Sequence, residues 1–197
     1  WGVVAGRFES ASSSPLWTVL VAAGVRVTGP AADWVPLVLN VAAGAAVVWV
    51  LAQGQRSVRP GRARPVDAAT TILLVVGVLF LPGLAIVGME HTLHVALVVA
   101  AVLCVHRWVL DLPGPRPAVT YALVALGSLT RFETAFVAVG LALALVMVDR
   151  PRWLRRAAAV TASSAVPIAA FCAFNRAMGG GWLPNSLLVK GQVPGEV

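Results

Sequence analysis

The sequence predicts an all-α protein, a polytopic transmembrane helical bundle, and three observations predict it. Hydrophobic residues make up 59% of the 197 positions and charged residues only 12%, about half the ~25% usual in soluble chains. The mean hydropathy is +0.86, which excludes a soluble globular domain, a disordered chain and a disulfide scaffold. The apolar residues fall into long runs, and the arginines into short clusters between them. The pI near 11.3 therefore reflects topology determinants rather than a nucleic-acid surface. The chain begins at Trp1, with neither an initiator methionine nor a signal peptide, and reads as an internal piece of a longer protein.

Residues 1–33 are expected to form an external loop. Within it, the run 16–28 is apolar but short, carries Arg26 and ends at Gly29–Pro30, so it predicts a helix lying in the outer interface. Residues 34–174 are expected to form the transmembrane bundle. The runs 34–52 and 68–88 are each long enough, at 1.5 Å per residue, to cross a ~30 Å hydrocarbon core. The runs 91–108, 118–131 (extended by a turn), 132–148 and 157–174 bring the expected count to about six spans. Pro36, Pro82 and Pro167 lie inside three of them, and neighbouring helices tolerate such breaks. Residues 175–197 close the chain as an external segment.

The arginine clusters set the orientation. Residues 53–67 carry Arg56, Arg59, Arg62 and Arg64 against Asp67; residues 149–156 carry Arg150, Arg152, Arg155 and Arg156 against Asp149. Both belong in the cytoplasm. The chain then crosses an even number of times between them, which the four intervening runs satisfy. The turns 88–94 and 129–133 and the tail 175–197 consequently share the external face. Glu90, His91, His94, Arg131, Glu133 and Lys190 all lie in those segments, although the charge argument did not use them. Ionisable groups at membrane depth are functional candidates.

Other readings of these residues are less specific. Glu90, His91 and His94 have helical spacing for metal ligation, but E-H-x-x-H is not the zincin order and no further ligand cluster appears. Arg131 and Glu133 form an interfacial pair on the simplest view. Cys104 and Cys172 lie in apolar segments without a partner at metal-ligand spacing, so both read as buried small side chains. Lys190, the sole lysine, follows Gly179–Gly181, Trp182, Pro184 and Asn185. It suits a membrane-surface phosphate, because lysine acts as a point charge; a snorkelling lysine is the plainer alternative.

Four stretches together carry a family resemblance. They are S-S-S-P-L-W-T (Ser12 to Thr18), G-M-E (Gly88 to Glu90), L-T-R-F-E (Leu129 to Glu133) and L-P-N-S-L-L-V-K (Leu183 to Lys190). In order and spacing, over essentially the whole chain, the sequence resembles the polyprenyl-phosphate-sugar-dependent C-type (GT-C) integral membrane glycosyltransferases. Among these it resembles the actinobacterial terminal β-(1→2)-arabinofuranosyltransferases.

The resemblance implies transfer of a sugar, arabinofuranose or mannose, from a polyprenyl-phosphate donor to a cell-envelope glycan or lipid acceptor. The site would lie on the external face of the plasma membrane. The family's acidic base belongs to a motif upstream of Trp1, so the catalytic residue is not identified here and the fragment alone is expected to be inactive. Substrate binding is expected from Glu90, Arg131, Glu133, Asn185 and Lys190. Arg131 and Lys190 would balance the leaving phosphate, while the carboxylates and Asn185 would meet sugar hydroxyls. No resident metal or other cofactor is called for, although a divalent cation is compatible with the chemistry. Membrane lipids are the remaining partners. The sequence departs from the family at His91 (usually Thr), Phe132 (usually Pro) and at Leu187 and Leu188 (more often aromatic).

Two other classes fit the composition. A transporter or flippase would place ionisable groups near the bilayer centre, whereas here they gather at one face. A non-catalytic membrane subunit would tolerate alanine at Glu90, Arg131 and Lys190 together.

Overall fold

A computed structural model describes residues 14–29, 32–58, 69, 70, 73, 77, 83, 86, 88–148 and 153–182. Among these, six bounded helices and no strands occur: α1 (Pro15–Thr28), α2 (Val35–Val58), α3 (His91–Val109), α4 (Pro117–Thr130), α5 (Thr134–Met147) and α6 (Trp153–Ala177). Local chemistry sets several boundaries. Pro15 and Pro117 open α1 and α4, where the missing N–H was unpaired anyway. Arg131 is extended, at φ −154° and ψ 133°, so the helix cannot continue from α4 into α5. Its N–H still closes the last turn onto the Gly127 carbonyl at 2.8 Å.

That break corrects the expected span count. Among the described residues, three helices are long and apolar enough to cross a membrane: Val35–Arg56, His91–Val109 and Trp153–Ala177. The runs 118–131 and 132–148 instead form α4 and α5, with 14 residues each. At 1.5 Å per residue each is about 21 Å long, short of the ~30 Å core. Summed apolarity made them look like spans; the proline start, the extended Arg131 and the turn at 131–133 shortened them. The expected span 68–88 lies mostly outside the described residues, and its six described positions before Gly88 are helical. The Arg clusters fall only partly within the described residues, as do the segments 1–33 and 175–197.

The helices share two ends. A Cβ on Gly88 would meet Pro36 at 3.5 Å, one on Gly44 would meet Thr92 at 3.8 Å, and one on Gly54 would meet Leu103 at 3.2 Å. Helices α2 and α3 therefore run side by side in the same direction. The chain returns along α4, placing Tyr121 edge-on to Trp108 at 6.1 Å. Helix α5 then starts where α4 stops, with Thr134 against Gly127. Helix α6 returns antiparallel to α5, and Phe171 meets Phe132 at 5.9 Å. One end thus holds residues 35–36, 88–94, 128–134 and 171–182. The other holds the end of α2, the 109–117 loop and the start of α6.

Small side chains let the helices approach. The main core joins Ala101, Val105 and Trp108 of α3, Val124 of α4, Ala138, Leu141 and Leu145 of α5, and Trp153, Ala157 and Val160 of α6. A second cluster joins Ala43 and Val47 of α2 to Ala96 of α3. The outer faces remain apolar: Val41 and Trp49 on α2, and Phe136 and Leu143 on α5, are all exposed. Apolar residues both inside and outside a bundle are the pattern of helices immersed in lipid.

Candidate functional site: a charged cluster at one end of the bundle

Two acidic residues stand at helix starts. Glu90 occupies the N-cap of α3 and Glu133 that of α5, and neither side chain caps its own helix. Both are free to turn towards Arg131, which the extended break after α4 places between them. Arg131 Nη1 donates to Glu90 Oε1 at 3.0 Å, and Nη2 donates to Glu133 Oε1 at 2.6 Å. Nη1 also donates to His91 Nδ1 at 3.0 Å, which requires that nitrogen to be an acceptor. The helix N-termini add their own partial positive charge beneath the two carboxylates.

Burial differs across the cluster. The Glu90 and Arg131 side chains are 11% and 20% exposed, whereas that of Glu133 is 53% exposed. Partial burial pushes the Glu133 carboxyl upward. The hydrogen bond from Arg131, a backbone hydrogen bond and the charges of Arg131 and His94 outweigh it, so the group titrates below its ordinary value. One guanidinium serves two carboxylates. These bonds use two hydrogens of Nη1 and one of Nη2, which among the described residues leaves Nε–H and one Nη2–H of its five donors.

The structure brings Glu90, His91, Arg131 and Glu133 together. His94 joins from one turn further along α3: its Nε2 lies 2.9 Å from the Thr134 hydroxyl. Glu90 lies 41 residues from Arg131 in sequence, so tertiary folding alone makes this cluster. Asn185 and Lys190 lie outside the described residues, as do the first two serines of Ser12–Thr18. Ser14 of that stretch is 3% exposed and precedes α1. No group of three or more His, Cys, Asp or Glu gathers as a metal site among the described residues.

Beside the cluster, α1 and the start of α2 bound an open, largely apolar groove of about 770 Å³. It is lined by Trp17, Val21, Val25, Arg26 and Pro36, among others. Pro36 also faces Gly88, two residues before Glu90, so groove and cluster adjoin.

Sequence reasoning missed Thr134, the partner of His94, and two buried polar side chains, Asn40 and Thr92, each 0% exposed. Asn40 was visible as the one amide inside the run 34–52. Thr92 carried no comparable signal, because threonine is common at helix starts.

No protein-family model matches the chain, and neither a curated protein nor a solved structure is significantly similar to it.

Proposed function

We propose that the chain belongs to a multi-pass membrane glycosyltransferase that moves a sugar from a polyprenyl phosphate to a glycan or lipid acceptor. The single observation that supports this reading is the 3.0 Å bond between Arg131 and Glu90. It joins the turns carrying two of the four motifs by which the sequence resembles the GT-C transferases. The adjoining apolar groove suits the isoprenoid chain.

On this reading the site faces the outside of the plasma membrane, and the arginine-rich ends face the cytoplasm. Glu90 and Glu133, held by Arg131, accept hydrogen bonds from sugar hydroxyls. Departure of the lipid phosphate concentrates negative charge on its oxygens, and fixed cations stabilise that state more than the ground state. Lys190 is assigned that task, with the two remaining N–H groups of Arg131 as its partner. Asn185 is assigned to the sugar. The base that deprotonates the acceptor is not assigned among these residues.

The transporter reading draws on Asn40, a buried amide in a candidate span. Asn40 stands on the second turn of α2, close to the charged end rather than midway along the helix, which favours chemistry at the surface.

The test is transfer from a radiolabelled polyprenyl-phosphate sugar, in membranes with matched expression of the full-length protein. Lys190→Ala should lower the rate ~10²–10³-fold, as removal of one transition-state donor does elsewhere. Lys190→Arg should recover part of it, since the charge survives with altered geometry. Wild-type rates in both Lys190→Ala and Arg131→Ala would remove the phosphate site and favour a non-catalytic subunit.

A further inference from the structure

Asn40 and Thr92 are both buried polar side chains, each 0% exposed. Among the described residues, neither the amide nitrogen nor the carbonyl oxygen of Asn40, nor the hydroxyl of Thr92, has a hydrogen-bond partner. Leaving such groups unpaired in an apolar interior is destabilising, and native structures rarely do so.

Their positions make them neighbours. Along α2, Pro36 faces Gly88 and Gly44 faces Thr92. Residues 36, 40 and 44 follow one another at helical spacing on a single stripe. Asn40 therefore sits on the α3-facing stripe, between the contact with Gly88 and the contact with Thr92. Ala43 and Val47 on the same side pack against Ala96, which closes the region from below. Glu90 lies two residues before Thr92 in the chain.

The chemistry of the three atoms narrows the occupant. Asn40 offers one acceptor and an NH₂ donor, and Thr92 a hydroxyl that does either. A metal cation would leave the amide N–H groups facing a positive charge. An anion would find no fixed cation on either residue. A hydroxyl oxygen both accepts and donates, and a buried water typically makes about three hydrogen bonds to such orphaned groups.

We infer that Asn40 and Thr92 form a buried site for one hydroxyl oxygen, supplied by a water molecule or by the hydroxyl of a bound glycoside. The inference stands without the glycosyl-transfer reading, because it uses only the burial, the missing partners and the helix register.

The test is a double-mutant cycle of Asn40→Leu and Thr92→Val on the whole chain in phosphatidylcholine nanodiscs. Thermal unfolding is followed with and without n-octyl β-D-glucoside, a hydroxylated probe that partitions into membranes. If water occupies the site, each single variant unfolds several degrees lower without the probe, and the double variant falls no further than the worse single. If a glycoside hydroxyl occupies it, the variants unfold no lower than the wild type without the probe. The probe then raises the wild-type midpoint and leaves those of the variants unmoved. Should Asn40→Leu fail to assemble, Thr92→Ser against Thr92→Val decides: the serine keeps the hydroxyl and should behave as wild type. Additive effects of the two substitutions with equal responses to the probe, or Thr92→Val matching Thr92→Ser throughout, would overturn the site.

Discussion

Arg131 concentrates the polar chemistry of the described residues on one guanidinium. It bonds Glu90, His91 and Glu133 at once, so its loss strands a carboxylate that is mostly buried. Arg131→Gln should destabilise the protein by roughly 1–3 kcal/mol, the range for a buried group deprived of its partner. Adding Glu90→Gln should restore part of this, since the stranded charge is then gone. Chemical denaturation in a defined detergent measures both, and equal stability of Arg131→Gln and wild type would show that the pair is immaterial. Glu133 gives a pH signature. Its folded-state pKa lies below its ordinary value, so its contribution is complete above the ordinary carboxylate value. It fades as pH falls through the lower folded value. Glu133→Gln should therefore narrow the gap between the unfolding midpoints at neutral and strongly acidic pH. Because the side chain is half exposed, solvent screening keeps the effect small.

At the scale of elements, the join between α4 and α5 decides the site. Gly127 lies so close to Thr134 that a Cβ there would be 3.1 Å from Cγ2 and 3.2 Å from Oγ1. Thr134 in turn meets His94, so the tight turn and the cluster are one construction. Gly127→Ala gains about 1 kcal/mol of helix propensity, but Thr134 must shift by a few tenths of an ångström while its hydroxyl is held by His94, so the net change should be a destabilisation of about 1 kcal/mol. Thr134→Ser, which removes Cγ2, should relieve part of that cost, and thermal unfolding of the two single variants and the pair tests it. A second tie between helices is the buried bond of Ser128 to Ser164 at 2.8 Å, which links α4 to α6. Interhelical hydrogen bonds of this kind average about 0.6 kcal/mol in a membrane protein. A cycle of Ser128→Ala and Ser164→Ala should give a coupling of that order.

For the whole molecule, the shared ends predict accessibility. Met89 and Trp182 are exposed at the charged end, and Leu110 and Leu154 at the other. In a background with Cys104 and Cys172 replaced, single cysteines at 89 and 182 should react with an impermeant thiol reagent from one side of the membrane. Those at 110 and 154 should react only from the opposite side. Reaction of 89 and 154 from the same side would break the orientation and the proposed external site with it.

The sequence by itself determined the helical class, because long apolar runs have no other way to satisfy their backbone in lipid. It also determined where several helices begin and stop, through Pro15, Pro117 and the break at Arg131. Composition could not measure usable helix length, so α4 and α5 read as spans until the turn at 131–133 shortened them. Parity of charge put Glu90, His91, His94, Arg131 and Glu133 in segments expected on one face. Only the tertiary structure decided that Arg131 would bond Glu90, 41 residues away, and that His94 would find Thr134. The same holds for Asn40, legible as a lone amide in an apolar run but set on the α3-facing stripe, one turn before the Gly44–Thr92 contact, only by the parallel register of α2 and α3. Hydropathy and charge are one-dimensional sums, whereas a hydrogen bond requires two atoms within about 3 Å, and helix packing alone fixes that distance.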